Sequence, residues 1–252
     1  MSDVLVLPDR LDATAELLLA AAGRRGLVVR QGLGRGGHVY GGPVFAGQVA
    51  AASGLALLDP PDDWLVTLPY RYTCRDIVMS TVGDARWSRT PMFVKQPREK
   101  VLPATVYADG SRLAPLPPDT AVLVSGIVSF LVEYRLFVLD GAVHTASRYA
   151  THGRLDPAPL DRCGDRGPVL EFTGALLDAC ADGLPSAVVV DVGLASDADR
   201  GEEQWAVVEA NMGWFSACYA ADPDRVLDVV LRAAGPRDRL LPRDEPFDRA
   251  AR

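Results

Sequence analysis

The chain has 252 residues, 48% of them hydrophobic, and a formal net charge of −7. It is long enough to bury a real core, as one elaborate domain or two small lobes. Its acidic balance argues against nucleic acid as the main partner, because a phosphate-binding surface needs a basic excess. No apolar run reaches the ~20 residues of a membrane-spanning helix, so no membrane partner is expected. Cys74, Cys163, Cys180 and Cys218 are scattered without CxxC spacing, and no signal-peptide pattern opens the chain, so a cytoplasmic location is expected. His38, His144 and His152 lack the spacing of a transition-metal site.

In chain order, residues 4–7 predict a short buried strand. Residues 13–25 predict a helix with Asp12 as N-cap and Gly26 as stop, and 27–30 the next strand, a compact α/β opening. The run Gly32-Leu33-Gly34-Arg35-Gly36-Gly37 formally matches GxGxxG, with Asp59 about twenty residues on. That fingerprint belongs in the first strand-to-helix turn, which here is Pro8-Asp9-Arg10. A loop is therefore expected, and a dinucleotide-binding oxidoreductase ranks behind every other reading. Residues 45–53 predict a helix ended by Gly54, and Pro60 and Pro61 break the chain before 64–68.

Residues 76–86 predict a helix, with Asp76 favouring its N-terminus. Residues 92–95 form an apolar strand ending in Lys95, with Lys100 further along; 104–107 is the next strand and 108–111 a turn. Strands follow at 121–125 and 128–139, and Asp140-Gly141 is a hairpin turn into a strand over 143–148. Alternation puts Glu133, Arg135 and Phe137 on one face and Tyr134, Leu136 and Val138 on the other. Arg148, across the hairpin, is expected to join Glu133 and Arg135. Residues 151–167, rich in Pro, Gly, Asp and Arg, are expected to form a loop, a candidate lid. A helix is expected at 168–181 and a last one at 224–234, led by Pro223, before a charged tail expected to fray.

Chemistry is expected within 187–220. Residues 187–192 are apolar and β-branched until Asp191, and 205–208 repeat that texture before Glu209 and Asn211. Residues two apart on a strand share a face, so Glu209 and Asn211 point together, and a neighbouring strand would set Asp191 beside them. Two carboxylates and a neutral amide oxygen suit Mg²⁺, with phosphate oxygens and water completing its shell. That set implies a nucleotide. Singly, each acid is more simply a solvated residue at a strand end; together they are harder to dismiss, because desolvated carboxylates need a counter-charge. Lys95, ordinarily a solvated strand-end lysine, becomes a point charge for a polyphosphate when such a cluster is near.

The order FVKQP (93–97), LVSGIVSFLVEYRLFV (123–138), SRY (147–149), VVDVG (189–193) and VVEANMGWFSACY (207–219) resembles the ATP-grasp superfamily. It is most similar to a small, compact branch with an EYR-F-V strand, over residues 75–234. The resemblance implies an α+β fold, two α+β lobes holding ATP between them. The organisation it suggests is a small α/β domain at 1–74, the grasp at 75–236 and a charged tail at 237–252. It implies that Lys95, with Arg75, Ser125 and Glu133, contacts the nucleotide, that Asp191, Glu209 and Asn211 hold Mg²⁺, and that Arg135, Arg148 and Lys100 face the reacting groups. Many members carry a second lysine near the place of Arg75, and often an acidic residue where this chain has Gly126. The implied activity is carboxylate–amine ligation through an acyl phosphate. Its partners would be a small carboxylate and an amine acceptor, an amino acid or peptide. The rivals are a kinase-like phosphotransferase on the same fold and an ATP-binding module without turnover. The set Lys95, Asp191, Glu209 and Asn211 argues against the latter.

Overall fold

The computed structural model describes residues 4–97, 101–197 and 202–251. The chain opens as expected, with β1 (Val4–Leu7), α1 (Ala13–Arg24), β2 (Val28–Gln31), β3 (His38–Val39) and α2 (Pro43–Ser53), the strands forming a parallel sheet in the order β2-β1-β3. Asp12 caps α1 by accepting from the Ala15 N–H at 2.8 Å, which satisfies one of the orphan donors of the first turn. The glycine run from Gly32 leads into β3, and α2 starts only at Pro43. It is a connecting loop and opens no phosphate-binding helix.

After β4 (Leu55–Leu57) and two single helical turns, α3 (Trp64–Thr67) and α4 (Tyr70–Thr73), the chain enters a small antiparallel sheet. Its elements are β5 (Ile77–Thr81), α5 (Val82–Ala85), β6 (Met92–Lys95), β7 (Thr105–Tyr107) and β8 (Ala121–Ser125), in the strand order β5-β8-β6-β7. The helix expected over 76–86 is therefore wrong for most of its length. Ile77, Val78, Thr81 and Val82 are β-branched, stiff at χ1 and better packed on a pleated surface. Only one turn survives, capped by Thr81, whose Oγ1 accepts from Asp84 N–H at 3.1 Å. Val82, Met92, Val94, Tyr107 and Val122 form the core of this lobe.

The second lobe is built on β9 (Ser129–Leu139), β10 (Ala142–Thr151), β11 (Arg154–Pro159), α6 (Arg166–Cys180), β12 (Ala187–Asp197), β13 (Glu202–Met212) and α7 (Pro223–Ala233), followed by β14 (Ala234–Pro236). Five strands make one antiparallel sheet, ordered β11-β10-β9-β12-β13. The stretch 151–167 is not a lid loop. Much of it is β11, the edge strand, where Pro157 and Pro159 are tolerated because an edge need not donate outward. On one face Tyr134, Leu136, Val138, Val188, Val190 and Val192 pack with Val169, Leu176 and Leu177 of α6. On the other, Phe137, Ala187 and Val189 share a core with Trp214, with Val226, Leu227 and Val230 of α7, and with Leu5, Leu7 and Leu18 of the N-terminal segment. That apolar cover takes up one end of the face, and Glu133, Arg135, Asp191 and Glu209 lie beyond it.

The C-terminal tail is not frayed. β14 pairs antiparallel with β4. Asp244, fully buried, accepts from the Ser186 N–H at 2.7 Å and from its hydroxyl at 2.6 Å. Asp248 is bound by Arg237 and the Leu57 N–H, and the Arg249 guanidinium lies 5.2 Å from the Trp214 ring centroid. The charges that make the tail look solvated are its anchors. Among the described residues no helix is long and apolar enough to cross a membrane.

Candidate active site

The site is a row of side chains across adjacent strands. Arg135 of β9 pairs directly with Asp191 of β12, which pairs directly with Glu209 of β13; Val189 pairs with Asn211. Paired residues share a face, so Arg135, Asp191, Glu209 and Asn211 stand together as the sequence suggests. They lie inside long strands, however, and not at strand ends. Asp191 is 1% exposed, and Arg135 grips it with two bonds, Nε to Oδ1 at 2.9 Å and Nη2 to Oδ2 at 2.6 Å. Lys95 reaches across from the small lobe and donates to Glu209 Oε2 at 2.8 Å. The Asn211 amide donates to Glu209 Oε1 at 2.8 Å and to Asp191 Oδ2 at 3.4 Å.

These contacts set the ionisation. Burial raises Glu209, but Lys95, Asn211 and Arg135 outweigh it and hold its carboxyl at about 2. Burial pushes the Asp191 carboxyl up against the pull of Arg135. For Arg135, the Asp191 charge more than offsets desolvation and keeps the guanidinium protonated. Burial also raises Glu133, whose Oε2 accepts the Tyr149 hydroxyl at 2.6 Å. The donor set of Asp191, Glu209 and Asn211 is all hard oxygen and fits Mg²⁺ chemically, with the amide turned so that Oδ1 faces the ion. Among the described residues no three His, Cys, Asp or Glu side chains gather as a metal set, so the amide would be needed as the third protein ligand.

Other expected residues fall in different places. Lys95 pairs with Leu123, two residues from Ser125, so Ser125 shares the face of Lys95. Its hydroxyl donates to the Gly126 carbonyl at 3.0 Å. Arg75 is spent on backbone carbonyls, those of Thr73 at 2.9 Å, Val207 at 3.0 Å and Val208 at 3.3 Å. Burial lowers it to about 10, still charged at neutral pH. The register of β13 shifts between Val207 and Glu209, so Arg75 holds the bulge that aims Glu209. Lys100 lies outside the described residues.

Arg148 does not join Glu133 and Arg135. Counting straight back from the Asp140-Gly141 turn sets Arg148 opposite Glu133, but Val143 pairs with Val138 and Thr145 with Phe137. His144 is therefore an extra residue, a bulge that moves every later residue to the other face. Arg148 then pairs with Tyr134 and binds Asp156, Nη2 to Oδ2 at 2.9 Å and Nε to the carbonyl at 3.0 Å. A second shift, between Arg148 and Ala150, brings Tyr149 to Glu133 instead. Tyr149 stacks on Tyr219, ring centroids 5.3 Å apart and planes 14° from parallel. The Arg135 guanidinium lies 5.5 Å from the first ring and 5.3 Å from the second. Sequence reasoning misses this pair. Its only signal is an aromatic inside SRY and another closing the run after Asn211, and bulges leave no mark on a period-2 pattern.

The architecture recurs in solved structures at low identity. A RimK domain ATP-grasp protein from Sphaerobacter thermophilus is 17% identical with a TM-score of 0.56, the match covering 90% of this chain and 99% of that one. N5-carboxyaminoimidazole ribonucleotide synthetase from Thermotoga maritima is 10% identical with a TM-score of 0.50, over 92% of this chain and 76% of that one. No curated protein matches the sequence. Residues 72–229, more than half of the chain, match a family model described as an ATP-grasp domain, the second family of its clade, and the chain belongs to that ATP-grasp family.

Proposed function

We propose that the chain is an ATP- and Mg²⁺-dependent ligase that joins a small carboxylate to an amine through an acyl phosphate, releasing ADP and phosphate. One observation carries this reading. Lys95 of one lobe and Arg135, Asp191, Glu209 and Asn211 of the other converge on a single row. Asp191, Glu209 and Asn211 would hold Mg²⁺, which neutralises charge on the β- and γ-phosphate oxygens.

The remaining chemistry belongs to the side chains. A carboxylate attacking the γ-phosphorus meets charge repulsion, so the protein's task is alignment and neutralisation; no protein nucleophile is required. Lys95 offers a point charge to the phosphates. Arg135 offers a fork matched to the oxygens of the transferring phosphoryl group and then of the acyl phosphate. An amine displaces phosphate from the acyl carbon, and the C–O bond to phosphate breaks. Water must be excluded until then. All four cysteines are free, which suits a reducing cytoplasm.

The test has two parts. Mg-ATP should raise the melting temperature where ATP with a chelator does not; at a hundred times its dissociation constant a ligand contributes ~2.7 kcal/mol. ADP release is then screened against carboxylates with and without amines. A stable phosphorylated product with no amide would assign a phosphotransferase, and equal melting shifts from NAD⁺ with none from Mg-ATP would sink the nucleotide assignment.

A further inference from the structure

The strand order gives the row a direction. Lys95 meets Glu209 on β13; Arg135 stands two strands away on β9, and Tyr149 on β10 beyond it. With strands about 4.8 Å apart, the row runs roughly 14 Å from β13 to β10. If phosphates lie at the Lys95 end, as the ligase reading on which this inference rests requires, in-line transfer carries the phosphoryl group past Arg135. The attacking carboxylate then comes from the β10 end.

That end is aromatic. Tyr149 and Tyr219 stack there with their rings against Arg135, and the Tyr149 hydroxyl is fixed on Glu133. Tyr219 holds φ at +50°, a left-handed conformation that a bulky residue adopts at a cost. Replacing its ring would leave that backbone unchanged, so the strain marks a placement the fold maintains. The cation nearest in sequence, Arg148, is turned to the opposite face and bound to Asp156. A second carboxylate on the substrate would find Glu133 and two aromatic rings there.

We propose that Tyr149 and Tyr219 form the specificity wall for the acid substrate, and that they select a monocarboxylate with an apolar or aromatic substituent. Rigid aromatic faces supply contact area at low entropic cost. The step they serve is balanced. A carboxylate oxygen attacks the γ-phosphorus and the β,γ-bridging P–O bond breaks, with ADP leaving. An amine nitrogen then attacks the acyl carbon, the C–O bond to phosphate breaks with its electron pair on phosphate, and the nitrogen loses a proton to solvent.

The probes are the standard amino acids, their N-acetyl forms and Ala- and Phe-terminated dipeptides, each with Mg-ATP and hydroxylamine, which traps an acyl phosphate as a hydroxamate. Expected is hydroxamate from acids with apolar or aromatic substituents in preference to glycine, aspartate and glutamate. Y219G removes the ring and relaxes the backbone, because glycine adopts φ +50° freely. It should raise the KM for the acid at least tenfold while the Kd for Mg-ATP stays within twofold. Y149F keeps the stack and loses the bond to Glu133, so it should preserve the acid preference. Calorimetric Mg-ATP binding shows that each variant is folded. A wild-type preference for dicarboxylates, or an unchanged acid KM in Y219G, overturns this inference and leaves the ligase reading standing. Wild-type protein that releases no ADP with any probe overturns both.

Discussion

The Lys95 ammonium lies 2.8 Å from Glu209 Oε2, joining two sheets that otherwise belong to different lobes. The contact puts a phosphate-binding candidate on a metal-binding candidate. In the free protein each neutralises the other, so nucleotide and cation should bind together and poorly apart.

K95M should therefore move two affinities in opposite directions. Losing a charge-assisted contact of about 2 kcal/mol should weaken Mg-ATP roughly thirtyfold. Mg²⁺ without nucleotide should bind more tightly, since no ammonium competes for Glu209. Calorimetric titrations of the ion alone and of Mg-ATP distinguish this from general damage, which would weaken both.

The same pair should shape acid stability. Glu209 is held at about 2 against an ordinary 4.5, so its folded value is depressed. The stability it contributes is complete above an ordinary glutamate pKa of about 4.5 and disappears as the pH falls towards 2. Urea midpoints measured from about pH 2.5 to 6 should fall on the acid side, and K95M should flatten that limb. Identical limbs in both proteins would show that Glu209 is not held by Lys95.

Glu209→Gln and Asn211→Asp should separate by their response to Mg²⁺. The first removes a charge and leaves a carbonyl, so turnover should drop steeply and recover in part with excess Mg²⁺. The second adds a carboxylate beside the phosphates and should lose turnover with little rescue. Wild-type Mg²⁺ dependence in both would remove the metal site from this strand.

Arg135 and Arg148 should part equally clearly. R135A leaves Asp191 buried and unpaired, a cost of about 3–5 kcal/mol. R148A loses only a partly exposed pair with Asp156, less than about 1 kcal/mol. It should leave Mg-ATP binding and turnover within twofold of wild type. Loss of turnover in folded R148A would mean that the bulge at His144 does not persist in solution.

The metal-candidate row is legible in the sequence because apolar β-branched runs interrupted by Asp191, Glu209 and Asn211 carry the strand period directly. The same period assigns Glu133 and Arg135 to one face. It fails on β10, where bulges at His144 and Tyr149 reverse faces without altering composition, exchanging Arg148 for Tyr149. Ile77 to Thr81 reads as helix because a capping acid precedes it, although its β-branched side chains favour a sheet. Composition misleads at Arg154–Pro159, a proline-bearing edge strand, and at the tail. There Asp244 and Asp248 are buried because backbone and side-chain donors wait for them, which no local pattern announces.

The core shared by Leu5, Leu18, Val226 and Val230, together with the pairing of β14 on β4, sets an order on biosynthesis. Translation delivers β1 and α1 first, yet the helix and strand that shield them are among the last segments made. An elongating chain therefore carries an incomplete apolar surface throughout the synthesis of both lobes, the condition in which chaperones are recruited and aggregation competes. Ribosome stalling ahead of Val226 should yield an insoluble fragment.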